Sequence, residues 1–271
     1  MSNLSSGRAA IAEVSVIHGT SAHMAELQDG TVDLILTSPP YYSPVTEKKL
    51  DRGVSEKNNL DELDQEIQTF AWSLRGSFEE AQRVLRAGGC LIVQTRDVRI
   101  RQVLSPVESI HRQLIEATGL RLFTKHFWLP AYQTLARRRM RAALVKRYGP
   151  LSQDHEVFLI FIKSGERNKR IFDESEVELL HKALEPSSSG NTKLHHRYQA
   201  PMNVVKALIR CYSKPGDVVL DLFVGGATTL IAARDLGRRA LGYEIDPDAI
   251  DLARRALSTA SHSHTKKNTV A

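Results

Sequence analysis

A chain of 271 residues, 42% of them hydrophobic, can bury one large core and requires no second full domain. It has no cationic start followed by an apolar core and a cleavage site, and no apolar run of the roughly 20 residues that a membrane span needs, so we expect a cytoplasmic protein without membrane partners. The formal net charge of +6 by itself only weakly favours a polyanionic partner.

Strand-like and helix-like patterns alternate along the whole chain. Strands are predicted at residues 14–17, 32–37, 90–94, 120–128, 157–162, 218–222 and 240–243. Helices are predicted at residues 60–86, closed by Gly88-Gly89, and at 106–117, 202–212, 227–236 and 247–257, with a helical turn at 23–27. The alternation predicts an α/β fold with a mostly parallel sheet, helices on both faces, and ligands at the carboxyl ends of the strands. Cys90 and Cys211 lie in apolar segments and are expected to be reduced core thiols.

The second predicted strand ends in Ser38-Pro39-Pro40-Tyr41. An exocyclic amine on cytosine or adenine is a poor nucleophile because its lone pair is delocalised into the ring. The Ser38 side chain and the Pro39 carbonyl could accept its two hydrogens and turn the lone pair towards an electrophilic methyl group. The prolines fix the direction of that carbonyl, and Tyr41 offers a flat surface on which an extruded base could stack. The alternative is a strand that simply ends in a proline turn with core tyrosines.

The positive charge is concentrated in one predicted insertion, residues 131–150. This segment holds six of the 37 basic residues and no acid, so the remaining basic residues balance the 31 acids. Its arginines could clamp DNA phosphates or read guanine edges, and the alternative is a solvated helix face. The candidate DNA-binding residues are Arg137, Arg138, Arg139 and Arg141.

Residues 1–257, the basic insertion included, are predicted to form one catalytic domain, and residues 258–271 are predicted to form a disordered tail. Residues 165–193 are polar and are predicted to be irregular. With the basic insertion, they are the candidate target-recognition elements.

The segment from Asp221 to Thr229 has the order of a buried strand, a glycine turn and a helix start. Gly225 and Gly226 let the backbone approach a ligand, and the free amides at a helix N-terminus favour an anionic group. Glu244 ends the next predicted strand, where an acid can accept hydrogen bonds from two ribose hydroxyls. The pattern fits an adenosine-containing ligand and leaves a dinucleotide and S-adenosylmethionine open, although a dinucleotide fingerprint requires a third glycine. A purely structural tight turn is the other interpretation.

Two motifs together carry a family resemblance. The run Asp221-x-Phe223-x-Gly225-x-Ala227-Thr228-Thr229 resembles the D-P-F-x-G-S-G-T-T signature of amino-methyltransferases. It departs at Leu222, where the signature has proline, and at Ala227, where it has glycine. Because S-P-P-Y precedes it, nearly the whole chain resembles the DNA amino-methyltransferases whose catalytic motif comes before the cofactor motif. Similar positions elsewhere are Trp128, His155-Glu156 and His196-x-x-Gln199-x-Pro201.

The resemblance implies a circularly permuted, Rossmann-like methyltransferase fold that uses S-adenosylmethionine and flips a base out of double-stranded DNA. It implies catalytic roles for Ser38, Pro39, Pro40 and Tyr41, and no metal. Serine in S-P-P-Y implies that the acceptor is N4 of cytosine. The implied cofactor contacts are Asp221, Phe223, Gly225, Gly226, Thr228, Glu244 and Pro201.

Several alternatives stay open at this point. Adenine N6 is the nearest, because serine and aspartate both accept hydrogen bonds and either could serve either base. Methylation of RNA or of a protein amide is another, although those relatives place the cofactor motif first. A further alternative is a catalytically silent DNA-binding module. No large recognition insertion is present, which predicts a short target site or a homodimer, in a bacterial or archaeal cell where the protein is bound to the nucleoid through DNA. A companion restriction endonuclease is left open.

Overall fold

The computed structural model describes residues 14–40, 60–100, 103–128, 155–165, 172–185 and 200–265. The strands are β1 (Val14–His18), β2 (Val32–Thr37), β3 (Leu85–Thr95), β4 (Val98–Ile100), β5 (Val103–Ser105), β6 (Arg121–Trp128), β7 (Glu156–Ile162), β8 (Val218–Asp221) and β9 (Arg239–Glu244). The helices are α1 (Leu60–Ser73), α2 (Arg75–Val84), α3 (Val107–Ala117), α4 (Glu174–Leu184), α5 (Met202–Tyr212), α6 (Thr228–Asp235) and α7 (Pro247–Thr265).

Seven strands form the main sheet in the order β1-β9-β8-β2-β3-β7-β6. The first five in this order run parallel, whereas β7 runs antiparallel to both β3 and β6. The central strand β2 is buried at every position, as a parallel strand covered on both faces requires. The predicted mixed, mostly parallel α/β sheet is confirmed.

Helices cover both faces of this sheet and create two apolar layers. Ile35 of β2 belongs to the layer that α1, α2 and α3 cover, with residues such as Ile67 and Phe78. Leu34 and Leu36 point the other way, into the layer that α4 to α7 cover. This alternation follows from the two-residue period of a strand. Both cysteines are buried and are not joined in a disulfide, as predicted.

The predicted helix at residues 60–86 is divided into α1 and α2, and the following strand begins earlier than expected. Gly88 and Gly89, which were predicted to close the helix, lie inside β3 instead. The Gly88 amide donates to Lys163 O at 3.0 Å and the Lys163 amide donates to Gly89 O at 3.1 Å, so these glycines extend the pairing of β3 with β7. The predicted helical turn at residues 23–27 consists of separate turns, since the His23 amide bonds Thr20 O at 3.3 Å and the Leu27 amide bonds Met24 O at 3.0 Å.

The segment predicted to be irregular, residues 165–193, contains the helix α4. Asp173 caps it, because its side chain accepts a hydrogen bond from the Ser175 amide at 2.9 Å. Leu180 and Leu184 supply the buried face of this helix. The prediction was wrong here because three glutamates among the first five residues masked a short apolar stripe.

The predicted tail also differs from the structure at its start. Helix α7 continues to Thr265, so residues 258–265 are helical. No glycine or proline interrupts this stretch, and the chain therefore has no local reason to end the helix at Ser258. The remaining tail residues, 266–271, lie outside the described residues. No helix in the described part of the chain is sufficiently long and apolar to cross a membrane.

Candidate active site

A crevice is expected between β2 and β8, because the order of strands reverses there. From β2 the chain continues to β3 on one side, whereas from β8 it continues to β9 on the other side. In open α/β sheets ligands bind at such a reversal, beyond the carboxyl ends of the strands. The reversal therefore marks one place in this fold as the candidate site.

Both informative turns leave the sheet at this place. Leu34 pairs with Val219 and Ile35 pairs with Leu220, so β2 and β8 end side by side. The turn that starts at Ser38 follows β2, and the turn that contains Gly225 follows β8. Ser38 is partly exposed, Pro39 is buried and Pro40 is exposed. The sequence motifs are thus brought to one edge of the sheet.

Asp221 connects the two turns. Its Oδ1 accepts a hydrogen bond from Thr37 Oγ1 at 2.8 Å and another from the Phe223 amide at 3.1 Å. The Thr229 hydroxyl is a third hydrogen-bonding partner of this carboxyl group. Burial raises the pKa of Asp221 to about 7 against the effect of these hydrogen bonds, and the charge of Glu244 raises it further. Asp221 was predicted to contact the cofactor; its carboxylate is 4% exposed and hydrogen-bonded within the protein.

The glycine turn uses left-handed backbone conformations at two residues. Gly225 has φ +46°, and a methyl group added there would meet nothing within 4 Å, so there is open space beside this residue. Ala227 has φ 60° and ψ 23°, immediately before the first residue of α6. It is the one described non-glycine residue with positive φ. This conformation costs an L-residue roughly 1 kcal/mol or more, so the backbone of Ala227 is strained.

Glu244 holds the glycine turn from the neighbouring strand. Its Oε2 accepts a hydrogen bond from the Gly225 amide at 2.9 Å, and its Oε1 accepts from the Ile245 and Asp246 amides at 2.9 and 3.0 Å. A carboxylate has about four acceptor sites and three are used here, so about one remains for a ligand hydroxyl group. Its predicted role at a ribose stays a prediction.

Gly242 is a supporting residue that the sequence analysis missed. It lies in β9, opposite Asp221 of β8. A Cβ atom at this position would lie 2.2 Å from Val224 Cγ2 and 3.1 Å from Asp221 O. Only glycine lets the start of the turn pack this closely against β9. A glycine inside a predicted strand was the signal that could have found it.

Beyond β2, the end of β3 adds buried polar groups to the same edge. Gln94 donates a hydrogen bond to Glu156, which belongs to the His155-Glu156 pair of the sequence resemblance. Both side chains are buried. Asp97 accepts from the Glu108 amide at 2.9 Å and so caps the start of α3. Burial raises its pKa. Asp97 therefore supports the edge of the site.

The other predicted site residues divide into two groups. Pro201 is partly buried and immediately precedes α5, which packs against α6 and runs back to the start of β8. The start of α5 thus lies towards the carboxyl edge of the sheet.

Phe223 is partly buried against the core, and Gly226 and Thr228 lie in the turn and at the start of α6. The residues that lie outside the described part of the chain are Tyr41, Arg137, Arg138, Arg139, Arg141, His196 and Gln199.

Comparison with known proteins agrees with this arrangement. The family model of the N6 and N4 DNA methylases matches residues 32–255. The Type II methyltransferase M.MthZI of Methanothermobacter thermautotrophicus is 28% identical over 262 residues, covering 86% of this chain and 73% of that protein. The DNA adenine methyltransferase YhdJ of Escherichia coli strain K12 is 41% identical over 68 residues, 25% of this chain and 23% of that protein.

A solved structure shows the same fold. The PvuII DNA methyltransferase, which is cytosine-N4-specific, superposes with a TM-score of 0.62 and 19% identity over 90% of this chain and 92% of that one. The family match spans both turns at the edge of the sheet and extends well beyond half of the chain. The chain therefore belongs to the DNA methylase family of N6 and N4 amino-methyltransferases, and it is an S-adenosylmethionine-dependent DNA methyltransferase.

Proposed function

We propose that this methyltransferase methylates the exocyclic N4 of cytosine at a specific sequence in double-stranded DNA, after the base has been flipped out of the helix. The observation that carries the proposal is the position of Ser38. It directly follows Thr37, which is hydrogen-bonded to Asp221, so the serine stands at the crevice next to the glycine turn. Serine in S-P-P-Y favours cytosine as the target base.

The proposed chemistry requires acceptors more than a strong base. The Ser38 Oγ and Pro39 carbonyl oxygen accept the two amine hydrogens and direct the nitrogen lone pair into the crevice. S-adenosylmethionine held at the glycine turn would supply an electrophilic methyl group to the amine nitrogen; S-adenosylhomocysteine would leave as the S–C bond breaks, and the proton lost by the amine would pass to solvent. Tyr41 provides the stacking surface for the flipped base, and Pro40 keeps the turn rigid.

The residues at the glycine turn fit this cofactor. The open space beside Gly225 admits a ligand close to the backbone, and Thr228 begins a helix whose first amides favour a carboxylate group. Glu244 retains about one acceptor site for a ribose hydroxyl group. Phe223, Gly226 and Pro201 complete the walls of the cofactor site. Asp221 holds these walls through its internal hydrogen bonds.

The arginines of the basic insertion are proposed to hold the DNA backbone around the flipped base, with Arg137, Arg138, Arg139 and Arg141 as phosphate contacts. The protein would then act on chromosomal DNA in the cytoplasm of a bacterium or archaeon, within a restriction-modification system. A homodimer or a partner endonuclease would fit this role.

Adenine N6 is the second candidate for the acceptor. The locally similar protein YhdJ is named a DNA adenine methyltransferase. Serine offers an acceptor that an adenine amine can use equally well. The choice between cytosine and adenine therefore depends on Ser38 in the S-P-P-Y motif, whereas the assignment of methyl transfer does not.

The proposal is tested by expressing the protein in a host that lacks DNA methylation and sequencing the DNA by a method that separates N4-methylcytosine from N6-methyladenine. We expect N4-methylcytosine at one short sequence. Ser38→Ala should remove the signal while the purified protein still binds S-adenosylmethionine. Ser258→Ala, which removes an exposed hydroxyl on α7, is the matched control and should leave the signal unchanged.

Two results would contradict the proposal in different ways. N6-methyladenine in place of N4-methylcytosine would move the activity to the second candidate. DNA without any methylated base, despite measurable cofactor binding, would indicate a silent DNA-binding module.

A further inference from the structure

A buried hydrogen bond between the side chains of Thr37 and Asp221 joins the two parts of the candidate site. The two residues are 184 positions apart in the chain and are 2% and 4% exposed. Thr37 is the last residue of β2 and Asp221 is the last residue of β8. Their hydrogen bond therefore joins the two strands at the point where the crevice opens.

Backbone pairing does not reach this point. The paired residues of β2 and β8 end with Ile35 and Leu220, one residue before Asp221 and two before Thr37. On their outer sides, in contrast, both strands remain paired to the end, Thr37 with Val93 and Asp221 with Gly242. The side-chain bond thus follows directly after the last backbone pair between β2 and β8.

Each end of the bond is attached to one half of the candidate site. Ser38, the proposed amine acceptor, is covalently next to Thr37. The same Oδ1 atom of Asp221 that accepts from Thr37 also accepts from the Phe223 amide at 3.1 Å, at the start of the glycine turn. A change in the length of this bond would therefore move the acceptors relative to the cofactor turn.

We propose that Asp221 is a positioning residue for methyl transfer, which acts through Thr37 to fix the distance between the Ser38-Pro39 acceptors and the glycine turn. This inference rests on the proposed function of Ser38, but it does not depend on which base is methylated. It gives the buried carboxylate a role in the alignment of two substrates, in addition to any direct role at the cofactor.

The first test is Thr37→Val, which keeps the shape of the side chain and removes the hydroxyl. Misplacement of reacting atoms by about 1 Å can slow a reaction roughly 100-fold, so we expect kcat to fall about 10- to 100-fold. The Kd of S-adenosylmethionine should change less than about threefold, since the glycine turn keeps its other bonds. Thr37→Ser restores the donor and should recover most of the lost kcat.

Thr31→Val is the matched control. Thr31 directly precedes β2 at its opposite end and donates to the nearby Gln28 O at 2.8 Å. We expect its kcat to equal that of the wild type. A purely structural role of the Thr37 bond would lower the melting temperature of Thr37→Val without separating kcat from cofactor affinity.

The second test approaches the bond from the other side. Asp221→Ala should lower kcat, and Asp221→Asn, which keeps an acceptor oxygen, should recover most of it. In the Asp221→Ala background, Thr37→Val should have little further effect, because the bond is already absent. If Thr37→Val does not fold, the comparison of Asp221→Ala with Asp221→Asn still tests whether the hydrogen bond is needed for methyl transfer.

The inference would be overturned if Thr37→Val transferred methyl groups at the wild-type rate, or if the two substitutions lowered kcat by independent factors. Both failures are measured against a wild type that transfers methyl groups. A wild type that binds the cofactor and methylates no DNA would instead contradict the proposed function.

Discussion

An aspartate holds the strand pair β2 and β8 at each end, but the two aspartates have different surroundings. At the amino end, Asp33 accepts from the Val218 amide at 2.9 Å and pairs with Arg86, whose Nε lies 2.5 Å from Asp33 Oδ1. At the carboxyl end, Asp221 accepts from the Thr37 hydroxyl and the Phe223 amide, which are neutral groups. Within the described part of the chain, Asp33 is paired with a cation, whereas the hydrogen-bonding partners of Asp221 are neutral groups.

This difference distinguishes the amino end of the β2–β8 pair, which supports the fold, from the carboxyl end, which forms the candidate site. The charge of a buried carboxylate is balanced when it pairs with a guanidinium, and removing one partner of such a pair lowers the stability of the protein. The carboxyl end combines the raised pKa of Asp221 with the left-handed Ala227, and both features lower stability. Such features persist where the surrounding structure enforces them, which is common at functional sites.

The largest effect is expected at the scaffold end. Asp33→Ala leaves the Val218 amide and the Arg86 guanidinium, whose side chain is 33% exposed, without their shared acceptor, and we expect this to cost about 2 to 4 kcal/mol of unfolding free energy. Urea unfolding measures this loss. Asp29→Ala is the control, because Asp29 pairs with Arg83 but is 78% exposed, and exposed pairs contribute roughly 1 kcal/mol or less. If Asp33→Ala and Asp29→Ala lost the same unfolding free energy, the buried ion pair of Asp33 would have no special role in stability.

The next effect concerns the carboxyl end and depends on pH. Because the pKa of Asp221 is raised from 3.8 to about 7, the stability that its neutral form provides is complete below pH 3.8 and is lost as the pH rises to about 7. Asp221→Asn has no charge to bury, so its unfolding free energy should gain about 2 to 3 kcal/mol relative to wild type between pH 5 and pH 8, at 1.36 kcal/mol per pKa unit. Urea unfolding at both pH values checks this. A constant difference would show that burial does not raise the pKa of Asp221.

A smaller effect is expected where β9 supports the glycine turn. Gly242→Ala places a methyl group against Val224, which must move together with Gly225. We expect a loss of roughly 1 to 2 kcal/mol, within the usual range for overpacking, and a weaker affinity for S-adenosylmethionine, measured by calorimetry. Gly19→Ala is the control, since its added methyl group would lie 3.9 Å from its neighbours. Unchanged affinity in Gly242→Ala would separate this packing from cofactor binding.

The smallest effect is expected at the strained residue. Ala227→Gly removes the left-handed penalty and also removes a buried methyl group, so we expect a net gain of about 0.5 kcal/mol. A thermal melt should show a slightly higher midpoint. A lower midpoint would mean that the methyl group contributes more by packing than its backbone conformation costs.

The sequence was sufficient to predict the parts of the fold that have strong periodic patterns. The strands predicted at residues 32–37 and 218–222 are observed as Val32–Thr37 and Val218–Asp221, and the turns that follow them lie at one edge of the sheet, as the motifs required. Helix α4 was missed because its two buried leucines stand among glutamates and lysine. The internal role of Asp221 was not predictable, because its partner Thr37 is distant in the chain and only the paired strands bring the two together.

The order of the sheet has a consequence for synthesis on the ribosome. β1, the first described strand to be made, pairs with β9, and about 220 residues separate them. At usual translation rates the early strand waits roughly 10 to 40 seconds for its neighbour, and in the meantime its backbone can pair with wrong partners. A nascent chain that stops before β8 carries the acceptor motif without the opposite wall of the crevice, so enzymatic competence would emerge only near the end of translation.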